Sequence, residues 1–254
     1  VNLRSLLFPS LLLLLGQACS LRGQDCDVPG TAPKGGWLLE SDSLVWSREL
    51  HNEVRDGFHS SSLGLGNLLL SRGLTEHLDV QFGYGGWLYE SRGAHESLES
   101  HIYSGDATFR MKWAFWGEDG KTLAFALLPY CSRKVHGGGS TTHGLLVPAS
   151  LPLPQNFSLN TQVGVERHGG EATRWATDVR GNLCLTRCFG PRWSAYVELR
   201  TTMPCQAPRA AYSEAGPGLI LNATERLVLE LEYFSGLERR APDWTTVFRL
   251  AWSL

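Results

Sequence analysis

The sequence predicts an all-β fold, an antiparallel transmembrane β-barrel of about 12 strands, and three observations carry that expectation. Short segments of alternating apolar and polar residues follow one another from Gly36 to Leu254. The connections between them alternate between long and short. Aromatic side chains gather near the segment ends. Successive side chains of a strand point to opposite faces, so alternation marks a sheet with one apolar and one polar surface.

Composition bounds the function. The chain has 254 residues and a formal net charge of −2. That balance lacks the basic excess of a nucleic-acid binder, so no nucleic-acid partner is expected. Beyond the N-terminus no stretch approaches the roughly 18 apolar residues of a helical span, so a membrane crossing would use strands. Residues 1–18 read as a signal peptide. Arg4 is its charged start, Leu6 to Leu15 its apolar core and Gly16-Gln17-Ala18 its small-residue cleavage site. Cys19 directly after Ala18 also admits a lipoprotein signal. Residues 19–35 are rich in Pro and Gly and read as a periplasmic tail, and 36–254 as the barrel. Export places Cys19, Cys26, Cys131, Cys184, Cys188 and Cys205 in an oxidising compartment. Cys19 with Cys26, and Cys184 with Cys188, are candidates for local bridges, with unpaired thiols as the other reading. No histidine cluster accompanies them, as a metal site would require.

The segments justify themselves in order. Segment 36–49 sets Trp37, Leu39, Ser41, Ser43 and Val45 against Leu38, Glu40, Asp42 and Leu44. Segment 63–71 is apolar on both faces. Segment 78–87 sets Leu78, Val80, Phe82 and Tyr84 against Asp79, Gln81 and two glycines, Gly83 and Gly85. Segment 107–116 sets Phe109, Met111, Trp113 and Phe115 against Thr108, Arg110, Lys112 and Ala114. Segments 123–131 and 145–151 alternate more weakly. Segment 157–166 sets Phe157, Leu159, Val163 and Val165 against Ser158, Asn160, Gln162 and Glu166. Segments 175–186, 193–200, 212–221 and 227–234 follow. The last, 244–254, sets Trp244, Thr246, Phe248, Leu250, Trp252 and Leu254 against Thr245, Val247, Arg249, Ala251 and Ser253. Such an apolar terminal strand is a hazard at an open sheet edge, and a closed barrel removes it by pairing last strand with first.

The odd-numbered connections, such as 50–62, 88–104 and 132–143, are long, and the even-numbered ones, such as 72–77, 117–121 and 152–155, are short. Barrels of Gram-negative outer membranes have long external loops, short periplasmic turns and periplasmic termini. Trp37, Trp87, Trp116, Trp175, Trp193, Trp244 and Trp252 fall near strand ends, where amphipathic rings suit a lipid–water interface.

If the apolar faces meet lipid, the polar faces line a lumen. The acidic set there is Glu40, Asp42, Asp79, Glu166, Asp178, Glu198, Glu230 and Glu232, and the basic set is Arg110, Lys112, Arg180, Arg200 and Arg249. A hairpin folded about Phe189 would set Asp178 opposite Arg200 and Arg180 opposite Glu198. Arg249 is expected between Glu230 and either Glu40 or Asp42, and Lys112 near Asp79. These charges are either an interior salt-bridge ladder or a constriction that selects what passes.

Enzymatic readings find little. His95-Glu96-Ser97-Leu98-Glu99 has Glu where a zinc-protease helix needs its second His. Seven of the eight histidines fall in predicted long connections, and none is expected mid-strand on a polar face. No catalytic residue, metal ligand or cofactor is assigned.

Two runs carry a family resemblance. Leu70-Ser71-Arg72-Gly73-Leu74-Thr75 leads into a strand, and Gly105-Asp106 leads into a strand bearing Lys112. Together with Ala126-Leu127-Leu128-Pro129 and Gly144-Leu145-Leu146-Val147-Pro148, these resemble the outer-membrane transporter-like family named for the MetA pathway of phenol degradation, the SphA-like proteins. The likeness spans about residues 60 to 254. Departures are Tyr130-Cys131 after Pro129 and a final Leu254 where barrel strands commonly end in Phe. The resemblance implies passage of small, possibly aromatic or hydrophobic, molecules, and names no catalytic residue.

The expectation is therefore an outer-membrane channel or transporter for passive uptake or efflux of small molecules. Its partners would be the lipid bilayer, lipopolysaccharide and the assembly machinery that reads the terminal strand through Trp252 and Leu254. The alternatives are a non-transport structural barrel and a secreted soluble β-sandwich.

Overall fold

The computed structural model describes residues 26–49, 58–94, 97–135, 140–170, 173–206, 210–238 and 241–254. The expected signal peptide and Cys19 lie outside them. The described residues form fourteen strands and no helix. These are β1 (Trp37–Glu49), β2 (Phe58–Gly73), β3 (Leu78–Tyr84), β4 (Trp87–Ala94), β5 (Ser97–Ser104), β6 (Asp106–Trp116) and β7 (Ala124–Lys134). The second half supplies β8 (Thr141–Leu153), β9 (Phe157–Gly170), β10 (Thr173–Cys188), β11 (Trp193–Pro204), β12 (Tyr212–Asn222), β13 (Leu227–Gly236) and β14 (Trp244–Ser253).

The sheet runs β1-β14-β13-β12-β11-β10-β9-β8-β7-β6-β3-β2, and β2 pairs back onto β1, so 12 antiparallel strands close a barrel. Closure leaves no edge and pairs the backbone within the wall, as a hydrocarbon surrounding demands. It also overturns the β-sandwich alternative, which needs two open sheets packed face to face. Phe82, Phe109, Met111, Trp113, Leu183, Leu185, Val197 and Leu231 all point outward, exposed. The final strand pairs with β1 from Leu38↔Ser253 to Arg48↔Trp244, the closure its alternation implies.

β4 and β5 stand outside this count. The residues 88–104, expected as a loop, instead form this hairpin, which pairs with the N-terminal half of β2 from Phe58↔Ala94 to Leu65↔Trp87. β3 takes the other half, from Leu68↔Tyr84 to Gly73↔Asp79. The break between β3 and β4 falls at Gly85-Gly86, where chains touch too closely for a side chain. A Cβ on Gly86 would come within 1.8 Å of the Leu65 carbonyl oxygen, and one on Gly105 within 2.2 Å of that of Gly85.

Two Tyr–Gly crossings stiffen the wall. Tyr130 on β7 lies over its register partner Gly144 on β8, where a Cβ would sit 2.2 Å from the ring. Tyr196 on β11 lies likewise over Gly218 on β12, at 2.1 Å. In each case the missing side chain lets the ring cross a strand, so the hydroxyl reaches a glutamate on the next one. Tyr130 donates to Glu166, the register partner of Gly144. Tyr196 donates to Glu232, the register partner of Gly218, and to Glu230 at 2.7 Å.

Of residues 19–35, expected as a periplasmic tail, the structure describes 26–35. This part enters the barrel. Lys34 bridges to Gly73 at the end of β2, and Ala32 N donates to Asp79 at 2.9 Å. Further in, Asp27 N donates to Gln162 at 2.9 Å, and Asp27 Oδ1 lies 3.2 Å from Lys112 Nζ. Cys26 and Ala32 share an apolar cluster with Leu38, Cys184, Tyr196, Ile220, Val228 and Ala251 on the wall. The wall carries Asp79, Lys112 and Gln162, which need polar partners once buried, and the segment supplies them.

Cys131, Cys184 and Cys205 are free thiols, so Cys184 does not form the bridge to Cys188 considered above. Cys188 is disulfide-bonded.

Candidate functional site

The lumen divides into two zones. Toward the end where β1 begins and β14 ends, β1, β11, β13 and β14 hold a sealed ionic cluster. Arg249, 2% exposed, donates from Nε to Asp42 at 2.6 Å and from a terminal nitrogen to Glu230 at 2.8 Å and Glu232 at 3.1 Å. Alternation turns Arg249 inward, and the registers Asp42↔Arg249 and Glu230↔Arg249 align the partners. The expected position between Glu230 and Asp42 is thus the observed one, while Glu40 pairs in register with Ala251. Glu198, wholly buried, accepts from Asn182 Nδ2 at 3.2 Å. Guanidinium forks suit such multiple carboxylate contacts.

Toward the opposite end lies a cavity of about 750 Å³. Its lining includes Arg110, Tyr130, Lys134, Glu166, His168, Arg180, Arg200 and Glu214, with Leu146 as its one aliphatic residue. Gln162 and Arg110 stand at its base, where Asp27 of the inserted segment lies 3.4 Å from Arg110.

The ladder across β10 and β11 differs from its expectation. Asn182 faces Arg200, Cys184 faces Glu198, Arg180 faces Thr202 and Asp178 faces Pro204. The turn is centred beyond Phe189: Phe189 N bonds Trp193 O, and Gly190 takes a φ of 139°. That shift sends each arginine to the neighbouring strand on its outer side. Arg180 Nε lies 2.7 Å from Glu166 on β9, and Arg200 Nε donates to Glu214 on β12 at 2.9 Å. Arg200 also stacks 3.9 Å over the Phe234 ring, a cation–π contact. Asp79 and Lys112 are register partners, as expected.

His168 corrects the reading that no histidine lies on a polar strand face. β9 continues to Gly170, which carries His168 inward with Nε2 3.6 Å from Glu166 and 3.5 Å from Asp178. Lys134, Tyr130 and His168 were missed as lining residues because weak alternation in β7 and short boundaries in β9 hid their faces, and Glu214 because segment 212–221 was assigned no faces. Extending 157–166 in register would have found His168. No group of three or more potential metal ligands occurs among the described residues.

Trp37, Trp116, Trp193 and Trp252 lie at strand ends on the side where β1 begins and β14 ends, and Trp175 and Trp244 at the opposite ends. Trp46, absent from the expected set, packs edge-on against Trp244 at 4.8 Å. Trp87 opens β4, beyond the glycine break.

No family model and no curated protein matches the sequence. Solved structures do match in fold. The COG4313 outer-membrane channel from Pseudomonas putida F1 superposes with a TM-score of 0.71 at 13% identity, covering 92% of this chain and all (100%) of that one. The translocator domain of the autotransporter NalP from Neisseria meningitidis gives 0.59 at 9% identity, over 98% and 95% of the two chains. The NanC porin gives 0.50 at 9% identity, over 85% and 97%. By fold the chain is a closed antiparallel β-barrel similar to those of outer-membrane proteins. Within that class its structural neighbours carry channel, porin and translocator names.

Proposed function

We propose that the chain is an outer-membrane channel through which small molecules pass passively. The observation that supports this best is the cavity of about 750 Å³ inside a closed 12-stranded wall, lined by polar groups that can exchange for water around a solute. The likeness to a COG4313 channel over 92% of the chain supports the same reading. Aromatic solutes belong among the candidates, since Tyr130 and Tyr212 line the cavity beside the cations. The signal peptide at residues 1–18, the bilayer and lipopolysaccharide as surroundings, and the assembly machinery reading β14 complete the proposal. Conductance of the detergent-folded chain in a planar bilayer tests it. Discrete openings, with liposome swelling in a panel of sugars, organic acids and phenols, are the expected result. A silent bilayer from protein that migrates as a folded barrel on unboiled gels overturns it.

A second reading, a structural barrel without transport, draws on the inserted segment and the sealed Arg249 cluster, which together fill much of the periplasmic half. The same silent bilayer would favour it.

A further inference from the structure

Ion pairs around the cavity share one orientation. In Arg180–Glu166 the side chains are 47% and 7% exposed. In Arg200–Glu214 the values are 19% and 6%. His168 is 34% exposed against 7% and 6% for its partners Glu166 and Asp178. In each pair the carboxylate is sunk in the wall and the basic group faces the cavity. The pairs sit on β9, β10, β11 and β12, and their dipoles point inward with the same sense. Aligned dipoles add, so a solute inside meets the positive ends at closer range than the negative ones. Arg110, 19% exposed beside Asp27, adds a further cation from β6. Exposed Lys134 stands in register with Asp106, the one lining acid without that orientation. The Arg249 cluster differs, being sealed on both sides at 2% and below 9%.

We infer that this cavity is an anion site and that the solute it takes is a small organic acid whose carboxylate sits among Arg110, Arg180 and Arg200. Arg180 meets Glu166 through Nε, which leaves its terminal nitrogens for a planar two-oxygen ligand. Water lost by the carboxylate is replaced by fixed donors that are already ordered by their wall partners. The inference deepens the channel reading and relies on it for passage of the acid, not for its binding.

The test uses the full detergent-folded barrel and three probes of one shape: benzoate, benzylamine and benzyl alcohol, titrated by calorimetry. Benzoate is expected to bind most tightly, and Arg180→Gln to weaken it roughly tenfold, with Arg180→Lys recovering part of the loss. In a bilayer under a potassium chloride gradient, the reversal potential is expected on the anion-selective side, moving toward the cation side in Lys134→Gln, which breaks no wall ion pair. Benzylamine binding more tightly than benzoate, no benzoate binding, or a cation-selective wild type overturns the inference while leaving a channel. Benzoate binding in a barrel that never conducts upholds the anion site and overturns the channel.

Discussion

Arg249 is the odd charge in an otherwise apolar terminal strand, and its surroundings explain why it stays there. Three buried carboxylates, Asp42, Glu230 and Glu232, converge on it within 3.1 Å. Removing one member of such a group strands the others without water, which costs about 3–5 kcal/mol. Arg249→Leu is therefore expected to destabilise the barrel by about that amount in urea unfolding from detergent micelles. Adding Asp42→Asn, Glu230→Gln and Glu232→Gln to the same variant should recover much of the loss, since none of the three carboxylates is then left charged without its partner. A loss below about 1 kcal/mol in the single variant would show the cluster open to water. This residue was legible in the sequence, because alternation alone faced it inward and barrel closure set Glu40 or Asp42 opposite, of which the structure selects Asp42. Gly144 and Gly218 were not. Each matters for the tyrosine across the strand, and nothing in a single strand's pattern reveals its neighbour.

At the scale of elements, alternation resolved strands wherever one face is apolar and the other polar. β6, with Phe109, Met111, Trp113 and Phe115 outward, and β14 are the clearest. Register across β10 and β11 was less legible, because the Gly190-Pro191 turn allows several centres and strand patterns of period two do not choose among them. The β4–β5 hairpin was hidden for another reason. Leu88 and Tyr103 on one face, and Trp87, Tyr89 and Ile102 on the other, are all exposed, so no face contrast marks it as sheet. Gly85 N already bonds Asp106 O at 2.7 Å, closing the ladder below the hairpin. Replacing residues 86–105 by a short Gly–Ser turn should therefore leave a folded, heat-modifiable barrel on gels. Loss of that mobility shift would make the hairpin part of the closing wall.

For the molecule as a whole, the inserted segment occupies part of the lumen. Its Pro and Gly content carries no period, so the sequence pattern placed it outside. The need it meets lies in the wall, where Arg110 and Lys112 on β6 both turn to Asp27. Exchanging Asp27 to Pro33 for a Gly–Ser stretch should raise single-channel conductance severalfold. It should also strengthen anion preference, since Arg110 and Lys112 lose a carboxylate. Unchanged conductance would place the narrowest point elsewhere.

The two zones of charge lie at different depths, and this has an electrical consequence. Inward-facing cations line the cavity, while three carboxylates share one guanidinium beneath it. On the channel reading proposed above, an anion entering from the cavity side would meet an attractive well before it reaches the depth of the buried cluster. Current at equal and opposite voltages is then expected to differ, and its sense reports which way the barrel has inserted.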